Sequence, residues 1–385
     1  MSSRGIGKTV WAITWTYFFQ ASFARVYVLL PAYMAASGIV DPGRIGVLVG
    51  SFYISTFARP FVGWFMDRAG FRRVLVLSGA LSAVAAAGMF LTDPTRLSLL
   101  IAWRILAGAS FSFFGVGLTA YQSAAVEAEE RGAGFSVVTA AAGLPYLLVV
   151  PLCELLVAHG HLKTYMFIPV LLGLATCIGG AMLPRVENPA QSLGADRGRA
   201  KSVLENSGVR SLLLSVALFC SVDACLLSFA GLGSEKGIPI SGFLAASAVT
   251  SVLVRFFGRS LVDRLPRIKT AWVSGAVAAV FVALPALPFV SGGVGFSVCG
   301  ALYGIFMGLG YPALLALIAD VASPEERNRV TSLFWFFMGL AYMGIPVIIG
   351  YLAALLGYSN AFLLASLLLG PLVAVVGRRW ERRGR

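Results

Sequence analysis

The feature that most constrains this chain is a series of twelve apolar segments, each long enough to cross a bilayer as a helix. Crossing the hydrocarbon core takes about 20 mostly apolar residues. Only 12% of the 385 residues are charged and 58% are hydrophobic, so most of the surface must face lipid rather than water. The sequence therefore predicts an all-α membrane protein in a lipid bilayer. The segments, numbered spans 1 to 12, are 9–35, 44–66, 73–91, 97–124, 134–158, 164–184, 209–232, 239–262, 270–290, 293–320, 330–356 and 360–377.

The basic residues are distributed unevenly between the two sides of the membrane. When the N-terminus is placed in the cytoplasm, most of the 30 Lys and Arg residues fall in cytoplasmic loops and termini. The opposite side holds only Arg44, Arg96, Lys163 and Lys236. Because cytoplasmic loops are enriched in Lys and Arg, we expect a multi-pass protein of the cytoplasmic (inner) membrane with both termini cytoplasmic. The same bias explains the net charge of +13, so no nucleic-acid partner is predicted.

The two halves of the chain repeat each other at an offset of 196 residues. The offset aligns Ser51 with Ser247, Arg59 with Arg255, Asp67 with Asp263 and Gly108 with Gly304. Six spans separate the copies, so the halves share one orientation. The sequence predicts an N-terminal six-helix bundle (1–184), a polar cytoplasmic linker (185–208) and a C-terminal six-helix bundle with a basic tail (209–385).

The loop between spans 2 and 3 carries a specific motif. It reads Gly63-Trp-Phe-Met-Asp67-Arg68-Ala-Gly70-Phe71-Arg72-Arg73. This resembles the signature G-x-x-x-D-R-x-G-R-[KR] of the major facilitator superfamily, with Phe71 replacing one arginine. The second half keeps Asp263-Arg264 but has Arg259 and Pro266 in place of the glycines.

The resemblance implies twelve helices in two pseudo-symmetric six-helix bundles that rock about a central site. Asp67 lies at a helix end where it can meet the positively polarised N-terminus of another helix, which in the family is span 11. We expect the charges of this loop to act in gating. Asp320, at a helix end, is expected to act in gating or to be a purely structural charge. The gating residues expected are Gly63, Asp67, Arg68, Gly70, Arg72, Arg73, Asp263, Arg264 and Asp320.

Span 4 carries a second resemblance, because Arg104 and Gly108 match the family's R-x-x-x-G element. Spans 1, 4, 7 and 10 line the central cavity in the family, which makes the face of span 4 through Arg104, Gly108 and Phe111 a candidate wall. On span 1, Gln20 shares a face with Tyr17 and Tyr27 but not with Arg25, and the sequence leaves open which face lines the cavity. The expected lining residues are Gln20, Gly108, Phe111, Met307, Tyr311 and Trp335.

Four ionisable residues fall inside spans, where charges are costly and usually functional. They are Arg25, Arg104, Glu154 and Asp223. One hypothesis makes Asp223 the proton-carrying group, with Arg25 or Arg104 contacting substrate. The alternative is two structural ion pairs, Arg25 with Asp223 and Arg104 with Glu154. A third possibility, chiefly for Glu154, is that the side chain reaches the lipid interface.

Enzymatic functions find little support in the sequence. The five cysteines lack metal-ligand spacing, the two histidines lie in one loop, and neither a nucleotide-binding loop nor a catalytic arrangement is present. We expect no cofactor, no metal and no enzyme activity.

The function expected is secondary active transport of a small amphiphilic or charged molecule by alternating access. A proton-coupled exporter acting as a monomer is the favoured form. A proton-coupled importer or a uniporter of a small metabolite is the nearest alternative, and a non-transporting membrane sensor on the same scaffold is an alternative of another class.

Overall fold

Helices make up the regular structure of the part of the chain that the computed structural model describes. This part comprises residues 7–59, 62, 65, 69–125, 138, 141–186, 204–257, 265–322 and 327–383. Within it, helices occupy all twelve predicted spans. Eight of these helices are long and apolar enough to cross a membrane, and two shorter apolar helices, Leu144–Ala158 and Ser241–Arg255, cover spans 5 and 8. The predicted all-α membrane fold is confirmed.

The first six spans are built from α-helices and two 3-10 segments. Their bounds are Lys8–Val26, Tyr27–Leu29 (3-10) and Leu30–Ala36 for span 1, Pro42–Ser51 and Phe52–Ala58 (3-10) for span 2, Phe71–Leu91 for span 3, Leu97–Ala125 for span 4, Leu144–Ala158 for span 5 and Leu162–Met182 for span 6. The helix Leu144–Ala158 of span 5 is preceded by the helical residues 138 and 141, and 134–137 and 139–140 lie outside the described residues. Pro145 lies in the first turn of this helix, where its missing amide costs no hydrogen bond.

The last six spans follow the same plan. Their bounds are Ser207–Ala224, Cys225–Ser228 (3-10) and Phe229–Lys236 for span 7, Ser241–Phe257 for span 8, Arg267–Ala283 and Leu284–Ala286 (3-10) for span 9, Gly292–Val321 for span 10, Arg327–Leu356 for span 11 and Tyr358–Arg383 for span 12. Of the predicted linker, 187–203 lies outside the described residues.

The first helix of each half is interrupted at nearly the same place. Span 1 changes to a 3-10 turn at Tyr27–Leu29, and span 7 changes at Cys225–Ser228. The 196-residue offset places the first turn at 223–225, so the two interruptions differ by about two residues. Interrupted helices mark substrate and ion sites in many transporters because they expose backbone groups and redirect side chains. The residues around these two turns are therefore candidates for the functional site.

The chain divides into two compact units, each with its own core. The first unit comprises residues 1–29, 33–39 and 51–196. Its polar centre is a buried chain of hydrogen bonds in which Ser82 contacts both Gln20 (3.2 Å) and Ser110 (2.8 Å). These bonds connect spans 1, 3 and 4.

The second unit comprises residues 30–32, 40–50 and 197–385. Its core holds a cluster of aromatic rings from spans 7, 8, 10 and 12, centred on the fully buried Phe229. The ring centroids of Phe243, Phe296 and Phe362 lie 4.5, 5.7 and 5.7 Å from that of Phe229.

Residues 40–50, from the first half of the sequence, belong to the second compact unit, and the predicted division into bundles 1–184 and 209–385 stays a prediction. Residues 40–50 pack against span 11, where both helices present glycine. A Cβ at Gly46 would overlap the carbonyl oxygen of Pro346, and a Cβ at Gly350 would overlap that of Pro42. Because neither glycine carries a side chain, the two backbones touch directly.

Candidate functional site

Asp223 is held by two tyrosines beside the interruption of span 7. Tyr303 of span 10 and Tyr342 of span 11 each donate a hydroxyl hydrogen bond to its carboxylate, one to each oxygen. Asp223 is half-buried and Tyr303 is buried. Within its own unit the carboxylate forms no ion pair among the described residues, so its direct partners are neutral donors.

Arg25 has an equivalent neighbour in the first unit. Its Nη1 donates to the hydroxyl of Tyr146 at 2.8 Å, and its guanidinium carbon lies 4.9 Å from the centre of that ring. The predicted pairing of Arg25 with Asp223 stays a prediction, because the two residues belong to different units.

The tyrosines of these two contacts, Tyr146, Tyr303 and Tyr342, were not predicted from the sequence. Tyr146 and Tyr342 are separated by 196 residues, and they end the short matching runs Gly-Leu-Pro-Tyr (143–146) and Gly-Leu-Ala-Tyr (339–342). Extending the repeat into spans 5 and 11 would have found both. Tyr303 carries no comparable signal, because its equivalent in the first half is Ala107.

Arg104 lies in an aromatic environment and is 4% exposed. Its guanidinium carbon is 4.6 Å from the ring centre of Tyr27 and 4.7 Å from that of Phe52. Its Nε and Nη1 have no hydrogen-bond partner among the described residues, and neither has the hydroxyl of Tyr27. The predicted pairing of Arg104 with Glu154 stays a prediction. Glu154 is half-buried in span 5.

Gly108 lets spans 2 and 4 cross in direct contact. A Cβ at this position would overlap the carbonyl oxygen of Phe52, and Gly304 has the same relation to Ser247 in spans 8 and 10. The internal repeat is therefore also a repeat of packing. Phe111 lies on the same face of span 4, with its ring 5.7 Å from that of Phe52.

Two of the other expected lining residues, Tyr311 of span 10 and Trp335 of span 11, both contact Phe334. Tyr311 packs edge-on against Phe334 at 6.3 Å, and Phe334 contacts the neighbouring ring of Trp335 at 6.1 Å. Trp335 is 39% exposed, whereas Met307 is 9% exposed. Gln20 is fully buried and hydrogen-bonded to Ser82 inside the first unit.

The signature loop is described only in part. Gly63, Asp67, Arg68, Asp263 and Arg264 lie outside the described residues, so their gating role stays a prediction.

The described end of the signature loop has a clear geometry. Gly70 has a φ of 79°, which a residue with a side chain rarely adopts. Arg72 donates to the carbonyl oxygen of Ala181 in the last turn of span 6, where a cation complements the helix dipole. Arg73 is exposed.

Asp320 forms an ion pair at the end of span 10. Its Oδ1 lies 2.6 Å from Nη1 of Arg267 at the start of span 9, and both side chains are partly exposed. The pair connects two helices of the second unit.

The comparison with protein families identifies the chain. A sequence profile described as Major Facilitator Superfamily matches residues 10–296 and 240–384, which together cover nearly the whole length. This chain belongs to the major facilitator superfamily. It is a multi-pass membrane protein and a secondary transporter rather than an enzyme, with a small-molecule substrate. A comparison with curated proteins by sequence gave no match.

Solved transporters of the superfamily have similar structures. The nucleoside transporter NupG is 14% identical, with a TM-score of 0.78 over 96% of this chain and 98% of that one. The human organic anion transporter MFSD10 is 17% identical, with a TM-score of 0.67 over 95% and 99%. The E. coli fucose:proton symporter FucP is 17% identical, with a TM-score of 0.60 over 96% and 98%. At these identities the likeness shows the superfamily fold.

Proposed function

We propose that this transporter is a proton-coupled exporter of a small amphiphilic or charged molecule, and that Asp223 carries the coupling proton. The observation that carries the proposal is the pair of tyrosine hydroxyls on the Asp223 carboxylate, beside the interruption of span 7.

Neutral partners leave the carboxylate free to change its charge. An ion pair would fix Asp223 in the ionised state, because protonation would leave a buried cation uncompensated. The charged groups that act on Asp223 within its unit include Arg255 of span 8, which lies within electrostatic range.

Protonation would change how three helices are connected. An ionised carboxylate accepts both hydroxyl hydrogen bonds, whereas a protonated one carries a hydrogen on one oxygen and loses acceptor capacity there. Either Tyr303 of span 10 or Tyr342 of span 11 must then turn away or accept instead. The charge on span 7 is thereby linked to the positions of spans 10 and 11, as alternating access coupled to a proton requires.

Two further observations support this form of transport. One structural neighbour is named as a fucose:proton symporter, so the superfamily fold accommodates proton coupling. The exposed ring of Trp335 near Tyr311 and Phe334 suits an amphiphilic molecule, because aromatic side chains bind apolar and cationic groups alike.

The test is a substrate screen in everted membrane vesicles that contain the wild-type protein, Asp223→Asn or no transporter. A pH gradient, acidic inside the everted vesicle, is imposed, and uptake of each compound and dissipation of the gradient are followed together. We expect accumulation that needs the gradient in the wild type. Asp223→Asn should abolish this accumulation yet keep exchange of substrate without a gradient.

Two results would contradict the proposal. Accumulation by Asp223→Asn with the wild-type pH dependence would show that another group carries the proton. Gradient-driven accumulation in right-side-out but not everted vesicles would make the protein an importer.

A further inference from the structure

Arg104 is a buried cation, and part of its hydrogen-bonding capacity is unused. Among the described residues, Nε and Nη1 are enclosed and have no acceptor. A buried guanidinium normally pairs with a carboxylate or donates to carbonyl oxygens, because leaving its N–H groups unpaired costs the full desolvation of the group. In this conformation, the described part of the chain therefore provides no hydrogen-bond acceptor for Nε and Nη1 of Arg104.

The surroundings of Arg104 favour an oxyanion as its partner. The rings of Tyr27 and Phe52, at 4.6 and 4.7 Å, attract the positive charge but do not satisfy its N–H groups. Tyr27 brings a buried hydroxyl for which the described residues offer no partner either. A carboxylate or a phosphate group accepts from a guanidinium at two points and can accept from a hydroxyl as well.

The site lies beside the 3-10 segments of spans 1 and 2. Tyr27 is the first residue of the 3-10 interruption in span 1, and Phe52 begins the 3-10 segment of span 2. Three spans thus converge on one cation. At the equivalent of Arg104 in the second half stands Gly300, whose Cβ position is blocked by the Phe243 backbone, so the repeat keeps the cation in one unit only.

We propose that Arg104 and the Tyr27 hydroxyl bind the carboxylate or phosphate group of the transported molecule. Arg25 is not the anion site in this account, because its guanidinium already donates to Tyr146. This inference rests on the protein being a transporter, as its family shows, and is independent of whether Asp223 carries a proton.

The experiment measures thermal unfolding of the purified full-length protein in detergent. The buried thiols of Cys153, Cys220, Cys225 and Cys299 report unfolding when they react with a thiol-specific fluorescent dye. The probes are sodium benzoate and phenyl phosphate, with benzamide as a neutral analogue of benzoate and sodium chloride as a simple anion, all at constant ionic strength. A ligand that binds the folded state raises the unfolding temperature in a saturable way.

We expect benzoate or phenyl phosphate to raise the unfolding temperature, and benzamide not to. Arg104→Gln should weaken the anion effect at least about tenfold. Without anion, Arg104→Gln should be as stable as the wild type or more so, because an unpaired buried charge has been removed; a purely structural arginine would give the opposite result. Arg96→Gln, an exposed charge deletion just before the same span, is the matched control and should leave the anion effect unchanged.

Two more variants cover the case in which Arg104→Gln fails to fold. Arg104→Lys keeps the charge but loses the planar donor set, and Tyr27→Phe keeps the ring but loses the hydroxyl. Both should weaken binding, and wild-type binding by both would overturn the proposal. So would a stabilising effect of chloride alone with none from either organic anion. Asp223→Asn should keep the anion effect whatever happens to proton coupling, so the two proposals fail separately.

Discussion

Tyr146 and Tyr342 occupy equivalent positions of the internal repeat, and each contacts the in-span charge on the first helix of its unit. Tyr146 accepts from Arg25, whereas Tyr342 donates to Asp223. One architecture thus holds a cation in the first unit and an anion in the second, because a phenol hydroxyl can act as either acceptor or donor. At this position the two units differ in the charge that they hold and not in the residue that contacts it.

Removing one of the tyrosine hydroxyls that donate to Asp223 should weaken proton-coupled transport. Tyr342→Phe or Tyr303→Phe deletes one of the two hydrogen bonds that connect span 7 to spans 10 and 11. A hydrogen bond to a charged group contributes about 1.5–3 kcal/mol, so the rate of gradient-driven uptake should fall about tenfold or more. The rate of gradient-driven uptake, compared with that of exchange without a gradient, measures this. Tyr351→Phe, an exposed position on the same span 11, should keep the wild-type rate, and an unchanged rate in both test variants would refute the coupling role.

Gly108 should tolerate no side chain, although another glycine of the same span should. A methyl group at Gly108 would overlap the carbonyl of Phe52, whereas one at Gly115 would meet nothing within 4 Å. Overpacking of this kind costs about 1–3 kcal/mol, so Gly108→Ala should lower the unfolding temperature and Gly115→Ala should not. Dye-based thermal unfolding compares them. Equal stability of the two variants would mean that spans 2 and 4 do not cross at this point.

The topology can be tested by labelling introduced cysteines from outside the cell. His161 lies in the exposed turn between spans 5 and 6, and Gln191 lies in the predicted linker. A membrane-impermeant maleimide should modify His161→Cys and spare Gln191→Cys until the membrane is permeabilised. The wild type, whose cysteines lie in spans, gives the background. The reverse pattern would invert the orientation of the transporter.

The expected gating role of the signature loop rests on the family resemblance and the helix dipole. In the family the loop aspartate meets the N-terminus of span 11, so we expect Asp67→Asn to shift the population toward the inward-open form and to lower transport while substrate binding largely survives. Transport and binding measured at several substrate concentrations separate these effects. Asp93→Asn, in an exposed loop, serves as the control. Unchanged transport in Asp67→Asn would exclude this role for the loop.

Most of the fold follows from the sequence for a simple physical reason. Each span is specified locally, because a stretch such as Phe71–Leu91 must form a helix to satisfy its backbone in lipid. The interruptions of spans 1 and 7 were not predicted. Pro31 could have indicated the first, because it removes the amide that would bond to the carbonyl of Tyr27 four residues earlier. Span 7 has no proline within 207–236, so its sequence carries no comparable signal for the interruption.

The sequence by itself determined the spans, the internal repeat, the family and the set of charges inside the membrane, since each depends on residue type and order along one chain. Only the tertiary structure decided which groups those charges meet. Asp223 contacts tyrosines 80 and 119 residues away in sequence, and Arg104 is enclosed by rings from spans 1 and 2. The rotation of each helix about its axis sets these contacts, and that rotation is fixed by the packing of all neighbouring helices together.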